Sequence, residues 1–253
     1  MKSYSFISTS TLKPARLCTL AGVVKPVLFY PCMLDLCPTS GYLPSSMKIK
    51  FPINYLETCR EVKTDKKVVS LTFDDGPCTQ TPAILDVLKK HDLQAAFFVI
   101  GRNISGNEEI LDRIAREGHL IGNHTFSHTP WFHFYSSGKM LLDLEKNADI
   151  IGNVTGQQVQ WFRPPYGVGN PMLAKAVEKT GYKVMGWSLR SYDTSSNNSE
   201  KVLERVKRLL KPGVVILLHD RCPNTPGVVE EIIRHAGARG YEFLRPDILF
   251  SSY

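Results

Sequence analysis

Asp74 and Asp75 close one apolar run, His124 and His128 stand at H-x-x-x-H spacing, Arg163 ends a third segment, and His219 closes a late one. Residues of these types can hold a metal ion and hydrolyse an amide. The reaction needs a polarised carbonyl, an activated water and an acid for the departing nitrogen, because an amide anion is too poor a leaving group at neutral pH. Two imidazoles and one carboxylate form a three-ligand set of the kind found in catalytic zinc sites, with positions left open for water and substrate. Asp75, His124 and His128 can supply that set. Asp74 then remains to take a proton from the water, and Arg163 can pair with it and hold it ionised and oriented. His219 is left for the acid, a role that suits an imidazole near neutral pH.

Taken singly, each segment also has a plain reading. Adjacent aspartates before Gly76-Pro77 are commonly a solvated turn. Two histidines four apart occur by chance on surface helices, residues 163–167 can be a stiff loop, and residues 217–220 the frayed end of a strand. Their shared position favours chemistry: all lie where an apolar run stops, and active-site residues of parallel α/β folds gather at the carboxyl ends of strands.

The elements that would position them are legible as short runs with β-branched or aromatic content. Residues 68–73, 95–100, 119–122, 159–162, 184–189, 214–218 and 242–244 each read as a strand. Thr81-Pro82 opens a helix with a capping residue and a proline, and Asn170-Pro171 opens another in the same manner. Ile84, Leu85 and Leu88 give the first helix its apolar face, and Lys89, Lys90 and His91 place positive charge at its carboxyl end. Helical patterns also cover residues 108–117, 139–151, 199–210 and 226–238. Strand and helix alternate throughout, which predicts a parallel α/β fold.

In this order the segments resemble the five motifs of the polysaccharide deacetylases, the NodB-like domains of carbohydrate esterase family four. They are Thr72 to Pro77, His124 to His128, Arg163 to Gly167, Trp187 to Thr194, and Leu217 to His219. The resemblance spans residues 66–246 and implies a distorted, incomplete (β/α) barrel, with residues 66–250 as catalytic domain and 1–65 as an irregular extension. It also implies roles. Asp74 corresponds to the general base, and Asp75, His124 and His128 to the metal ligands. Arg163 corresponds to the residue that holds the base, and the Tyr166 amide to an oxyanion donor. His219 corresponds to the general acid and Asp193 to the carboxylate that tunes it. Leu217, Trp187 and Pro164 would contact substrate, Leu217 lining the pocket for the acetyl methyl group. The fourth motif departs from the family, whose Asp-Trp is here Asp193-Thr194. The missing wall of the acetyl pocket must come from elsewhere, with Trp187, Trp131 and Phe132 as candidates.

The implied activity is removal of acetyl from N-acetylated amino sugars of peptidoglycan or chitin-type glycans. The implied cofactor is a divalent metal, zinc foremost, with cobalt, nickel or manganese also suited to an N/N/O set. Two alternatives stay open: a deacetylase of another carbohydrate or amide, such as acetyl xylan, and a carbohydrate-binding relative without turnover. The net charge is +7, but residues 1–60 hold seven basic residues against Asp35 and Glu57, so +5 of it lies there. No nucleic-acid-binding motif accompanies it, and a basic tail suits an anionic envelope surface equally well, so an exported or envelope monomer is expected. The apolar stretch 17–36 is interrupted by Lys25, Pro26, Pro31 and Asp35, short of the ~20 continuous apolar residues of a membrane span. No clean signal-cleavage pattern follows it.

The six cysteines include no C-x-x-C pair, which leaves a zinc ribbon or dithiol motif unsupported. Cys78 and Cys222 lie near the site motifs and are expected to fill space in loops. His91 and His235 read as helix-end partners and His119 as structural. After His128 comes a loop with Trp131, Phe132, His133, Phe134 and Tyr135. It reads equally as a wall for sugar rings and as an anchor to the barrel rim.

Overall fold

Seven consecutive residues, Val68–Asp74, form a strand, β2, that is buried along its whole length. A strand buried on both faces must satisfy two cores, and its residues alternate between them. Val69, Leu71 and Phe73 join the core shared with the helices, whereas Thr72 and Asp74 meet the side chain of Arg163. The same parity holds in β3 (Ala96–Val99), where Phe97 and Val99 face the helices. There Ala96 and Phe98 pack on the opposite face with Trp161 and Met185. The fold therefore has an outer core under the helices and a smaller inner one.

The computed structural model describes residues 55–253 except residue 197. The other strands are β1 (Thr58–Cys59), β4 (Leu120–Asn123), β5 (Trp161–Phe162), β6 (Lys183–Met185), β7 (Leu189–Arg190), β8 (Val215–His219) and β9 (Glu242–Phe243). They make one sheet in the order β1-β6-β5-β4-β3-β2-β8-β7, with β9 also pairing β2, and every ladder is parallel. The sheet curls into an incomplete barrel. The helices are α1 (Thr81–Lys90), α2 (Glu108–Arg116), α3 (Ser137–Thr155), α4 (Pro171–Thr180), α5 (Ser199–Leu209), α6 (Thr225–Ala238) and α7 (Pro246–Ser252). Each of α1 to α6 follows a strand, as the parallel pattern requires. Among the described residues, no helix is long and apolar enough to cross a membrane. The interrupted stretch 17–36 lies outside the described residues.

Several boundaries differ from the sequence expectation for physical reasons. The run 184–189 is two strands rather than one. The carbonyls of Met185 and Gly186 accept hydrogen bonds from Arg163 at 3.1 and 2.8 Å, which draws the backbone away from the ladder between β6 and β7. Thr81 does not cap α1. Gln80 holds that position without a side-chain bond, while the Thr81 hydroxyl accepts from the Cys78 amide and donates to Asp220. Asn170 does cap α4, accepting from the Leu173 amide. The sheet also takes in residues before Lys66: β1 lies parallel to β6, and Leu56 is buried beside Phe162 and Val184. The last helix, α7, was not foreseen, and its Leu249 packs on Val68 and Val215 at the amino-terminal ends of their strands.

One buried amide ties the helix layer to the strand ends that carry the chemistry. The Asn147 Nδ2 group on α3 is within 3.0 Å of the carbonyls of Val99 and Thr125 and 2.9 Å from Asn123 Oδ1. Asn123 in turn accepts from the Thr125 amide and donates to the Leu144 carbonyl. Asn147→Ala strands these buried acceptors and is expected to cost about 2–3 kcal/mol. Urea unfolding checks it as a lowered midpoint with an unchanged slope.

Candidate metal centre and active site

The carboxyl ends of β2, β4, β5 and β8 deliver the side chains to one place. Asp74 ends β2 and Asp75 follows it. His124 follows β4, Arg163 follows β5, and His219 ends β8. The parallel register brings Asp74 directly opposite His219 on the neighbouring strand.

Asp75, His124 and His128 offer three ligand atoms that all lie within 4.8 Å of one another. Asp75 Oδ1 is 3.6 Å from His124 Nε2 and 3.5 Å from His128 Nε2. Ligands on a tetrahedral ion with ~2.0–2.1 Å bonds stand roughly 3.3–3.4 Å apart, so the set fits a divalent cation of zinc size with little adjustment. The outer nitrogen of His124, Nδ1, is 2.7 Å from the Arg163 carbonyl. A carbonyl there requires Nδ1 to carry the proton, which leaves the Nε2 lone pair for a metal. Burial, with the His124 imidazole beside it, pushes His128 down to about 3. That ring is therefore neutral at physiological pH, the state a metal ligand needs. Burial raises the Asp75 carboxyl, but the imidazoles of His124, His219 and His128 and the Arg221 guanidinium prevail and hold it below the usual carboxylate range.

Asp74 is held apart for another task. Arg163, with no exposed surface, donates from Nη1 to Asp74 Oδ1 at 2.7 Å and to Thr72 Oγ1 at 2.9 Å. Its guanidinium carbon lies 4.1 Å from the centre of the Phe98 ring, so every face of the cation is compensated. Asp74 Oδ2 is 3.8 Å from His124 Nε2, on the side of the ligand set. Across the site, His219 Nδ1 is 2.9 Å from Asp193 Oδ1, and the His219 amide donates to Asp193 Oδ2 at 2.6 Å. Burial disfavours the imidazolium of His219, yet the hydrogen bond and charge of Asp193, with Asp74 and Asp75 behind, raise its pKa above the ordinary histidine value.

Backbone conformation at these turns is unusual. Among the described residues, Asp75, Thr125, His128, Tyr166 and Tyr192 all have left-handed φ, between 40° and 82°, and the sixth such non-glycine residue, Asp92, lies elsewhere. Non-glycine residues enter this region at a cost of order 1–3 kcal/mol and persist where the surroundings fix them. Glycine is required at Gly76, where a Cβ would stand 1.9 Å from Asp220 Oδ2. That close approach lets Asp220, fully buried and pushed up to about 7 by burial, brace the loop that carries Asp75.

The remaining expected residues fall around this centre. Leu217 and Pro164 are buried and Trp187 is half-buried, the Trp187 ring lying against Gly167 and 5.6 Å from the Arg163 guanidinium. Tyr166 is half-exposed with its ring 5.0 Å from that of His128. Phe132 cannot wall an acetyl pocket, because it is fully buried against Met140, Leu144 and Leu173. Cys78 donates from its thiol to the Asp220 carbonyl at 3.3 Å, and burial raises both the Cys78 and Cys222 thiols, Cys222 to about 12. His119 is structural, accepting from the Ala95 amide through Nδ1 and held neutral by burial with a pKa of about 4.

Sequence reasoning overlooked three contributors. Arg221 donates from Nε to Asp75 Oδ2 at 2.6 Å, Asn103 donates to the Asp75 carbonyl, and Asp143 accepts from the amides of Phe126 and Ser127. Of these, only Arg221 had a signal, its place two residues after His219.

The polysaccharide deacetylase family profile matches residues 61–185. A peptidoglycan-N-acetylglucosamine deacetylase of Bacillus cereus is 32% identical over 209 residues, 79% of this chain and 76% of that protein. The peptidoglycan-N-acetylglucosamine deacetylase of Listeria monocytogenes is 32% identical over 210 residues, 83% of this chain, which spans only 42% of that relative's length. Among solved structures, a CE4 family pseudoenzyme from Bacillus anthracis superposes with a TM-score of 0.71 at 28% identity, over 76% of this chain and 68% of that one.

Two outcomes test this geometry. Arg163→Met leaves Asp74 buried without its cation and is expected to cost about 3–5 kcal/mol in unfolding free energy. In metal-free protein, Asp193→Asn removes the largest of the influences that raise His219, leaving burial opposed only by Asp74 and Asp75, so the imidazole midpoint followed by NMR drops. The stability that the imidazolium pair contributes is full below the ordinary histidine range and disappears as pH rises through the raised value. The Asn variant loses most of that pH dependence.

Proposed function

Since the chain belongs to the polysaccharide deacetylase family, we propose that it hydrolyses the acetamide of an N-acetylated amino sugar within a glycan, yielding acetate and a free amine. The observation that carries this reading is the convergence of a three-ligand set with a separate carboxylate, Asp74, on one flank and an imidazole, His219, on the other. Peptidoglycan is the substrate named for the relatives in Bacillus cereus and Listeria monocytogenes, and we assign this chain the same polymer class at the cell envelope.

Asp75, His124 and His128 would hold the metal, with zinc the ion best suited to this N/N/O set. When bound, the ion supplies Lewis-acid polarisation and makes a water acidic enough to react at neutral pH. Asp74, with Oδ1 occupied by Arg163, takes the water's proton on Oδ2. The Tyr166 amide, set by a left-handed backbone at φ 58°, donates to the carbonyl oxygen as charge develops there. His219 has Nδ1 engaged by Asp193, so Nε2 delivers the proton to the sugar nitrogen as the C–N bond breaks. The water oxygen has by then bonded to the acetamide carbon, so the amine departs neutral and the acetic acid left behind becomes acetate by losing its remaining water-derived proton to solvent.

Thr194 leaves the acetyl pocket without the family's tryptophan, and Trp187, packed against the Tyr166-Gly167 turn, is the aromatic side chain we assign to that wall. The ligands, the flanking carboxylate and the imidazole are all present, and this full set supports turnover over a binding role.

Acetate release from chitooligosaccharides and peptidoglycan fragments tests the proposal. Activity should vanish on chelation and return with zinc or cobalt, and Asp74→Asn should lower kcat by about 10²–10⁴. Equal rates before and after chelation would refute the mechanism.

A further inference from the structure

We propose that Trp131 and Phe134 form a stacking platform for an oligosaccharide chain, holding sugar rings beyond the one whose acetamide reacts. The loop between His128 and α3 divides its aromatic residues between two jobs. Phe132 is fully buried and Tyr135 half-buried in the same cluster. Trp131 is 65% exposed and Phe134 80% exposed, with ring centres 6.0 Å apart. Leaving a Phe-sized side chain in water forgoes roughly 1.5–3 kcal/mol of burial.

This exposure is built into an anchored loop. The amides of Phe132, Phe134 and Tyr135 each donate to a carbonyl three residues back. Asn170 Nδ2 donates to the His133 carbonyl at 2.9 Å, and the Lys139 ammonium sits 3.6 Å from the Tyr135 ring centre. With Phe132 as its buried foot, the platform presents two rings without having to order them on binding, which lowers the entropic cost of a contact.

Its position points to the occupant. Trp131 is three residues from His128, so their Cα atoms stand at most ~11 Å apart. Aromatic side chains bridge the interval: the His133 ring is 6.1 Å from Tyr166, and Tyr166 is 5.0 Å from His128. A ligand lying across the metal site therefore reaches the platform within a few sugar rings. Two aromatic side chains of ~150–250 Å² each offer far less than the ~800 Å² per partner of a stable protein interface. Flat rings with exposed faces match the C–H faces of pyranoses. The inference rests on the deacetylase reading for which ring sits at the metal, and it selects chains over single sugars.

The test uses the full chain, without metal for binding and with zinc for turnover. The probes are the penta- and disaccharides of β-1,4-linked N-acetylglucosamine. Calorimetry on the Trp131→Ala/Phe134→Ala double variant should show pentasaccharide affinity falling by about tenfold relative to the disaccharide. Trp131→Phe should retain most of the preference. An unchanged ratio in a double variant that keeps its unfolding midpoint overturns the proposal. So does loss of self-association or of binding to anionic lipid vesicles with sugar affinity intact. If wild-type protein releases no acetate yet the binding ratio falls as expected, the deacetylase reading fails and the platform stands. If acetate is released and the ratio does not move, the reverse holds.

Discussion

A guanidinium buried without exposed surface is the constraint on which this fold turns. An isolated cation there would cost far more than the protein's net stability, so the surroundings must supply compensation from every direction. Arg163 obtains it from the Asp74 carboxylate, the Thr72 hydroxyl, the carbonyls of Met185 and Gly186, and the face of Phe98. These partners come from three strands or strand ends, those of β2, β3 and β6. Satisfying the charge therefore fixes where the ends of β2, β5 and β6 lie relative to one another, and those ends carry Asp74 and the neighbouring turns.

The adjacent aspartates show how one short segment can be divided between two roles. Asp74 is still in the strand and inherits its register, facing the inner side and Arg163. Asp75, one residue on, turns through a left-handed conformation and points to the imidazoles. A Cβ at Gly76 would collide with Asp220, so the chain can turn there only with glycine. The same economy recurs at Thr125, His128, Tyr166 and Tyr192, whose left-handed backbones sit at the rim. Strain is concentrated where side chains must be aimed, and regular strands and buried amides such as Asn147 hold it in place.

Much of this was legible in the sequence, for identifiable reasons. Strands such as β2, β3 and β8 announce themselves because they are buried on both faces and so are mainly apolar along their length. The ligands and their partners fall where those runs stop, which is a property of one-dimensional order. What was hidden depends on contacts across the chain. The break at Gly186-Trp187-Ser188 exists because Arg163 takes two carbonyls, and no local pattern encodes that. Thr81 looked like a helix cap, and its hydroxyl is instead engaged by Cys78 and Asp220. Arg221 carries no motif, and its bond to Asp75 follows only from the pairing of β2 with β8. The five aromatic residues after His128 could not be sorted into anchor and surface until α3 and α4 supplied the cluster that Phe132 enters.

The pairing of β2 with β8 has a bearing on biosynthesis. Asp74 and Arg163 are separated by 89 positions and Asp75 and Arg221 by 146, so the centre of the sheet closes on a strand made late. Synthesis delivers Asp75, His124 and His128 before β8, and the edge of β2 that pairs with β8 has no partner there until residues 215–219 have been made. Contacts so distant along the chain make for slow folding. A polypeptide cut before β8 therefore keeps Asp75, His124 and His128 while lacking His219, the residue that faces Asp74 across the ladder.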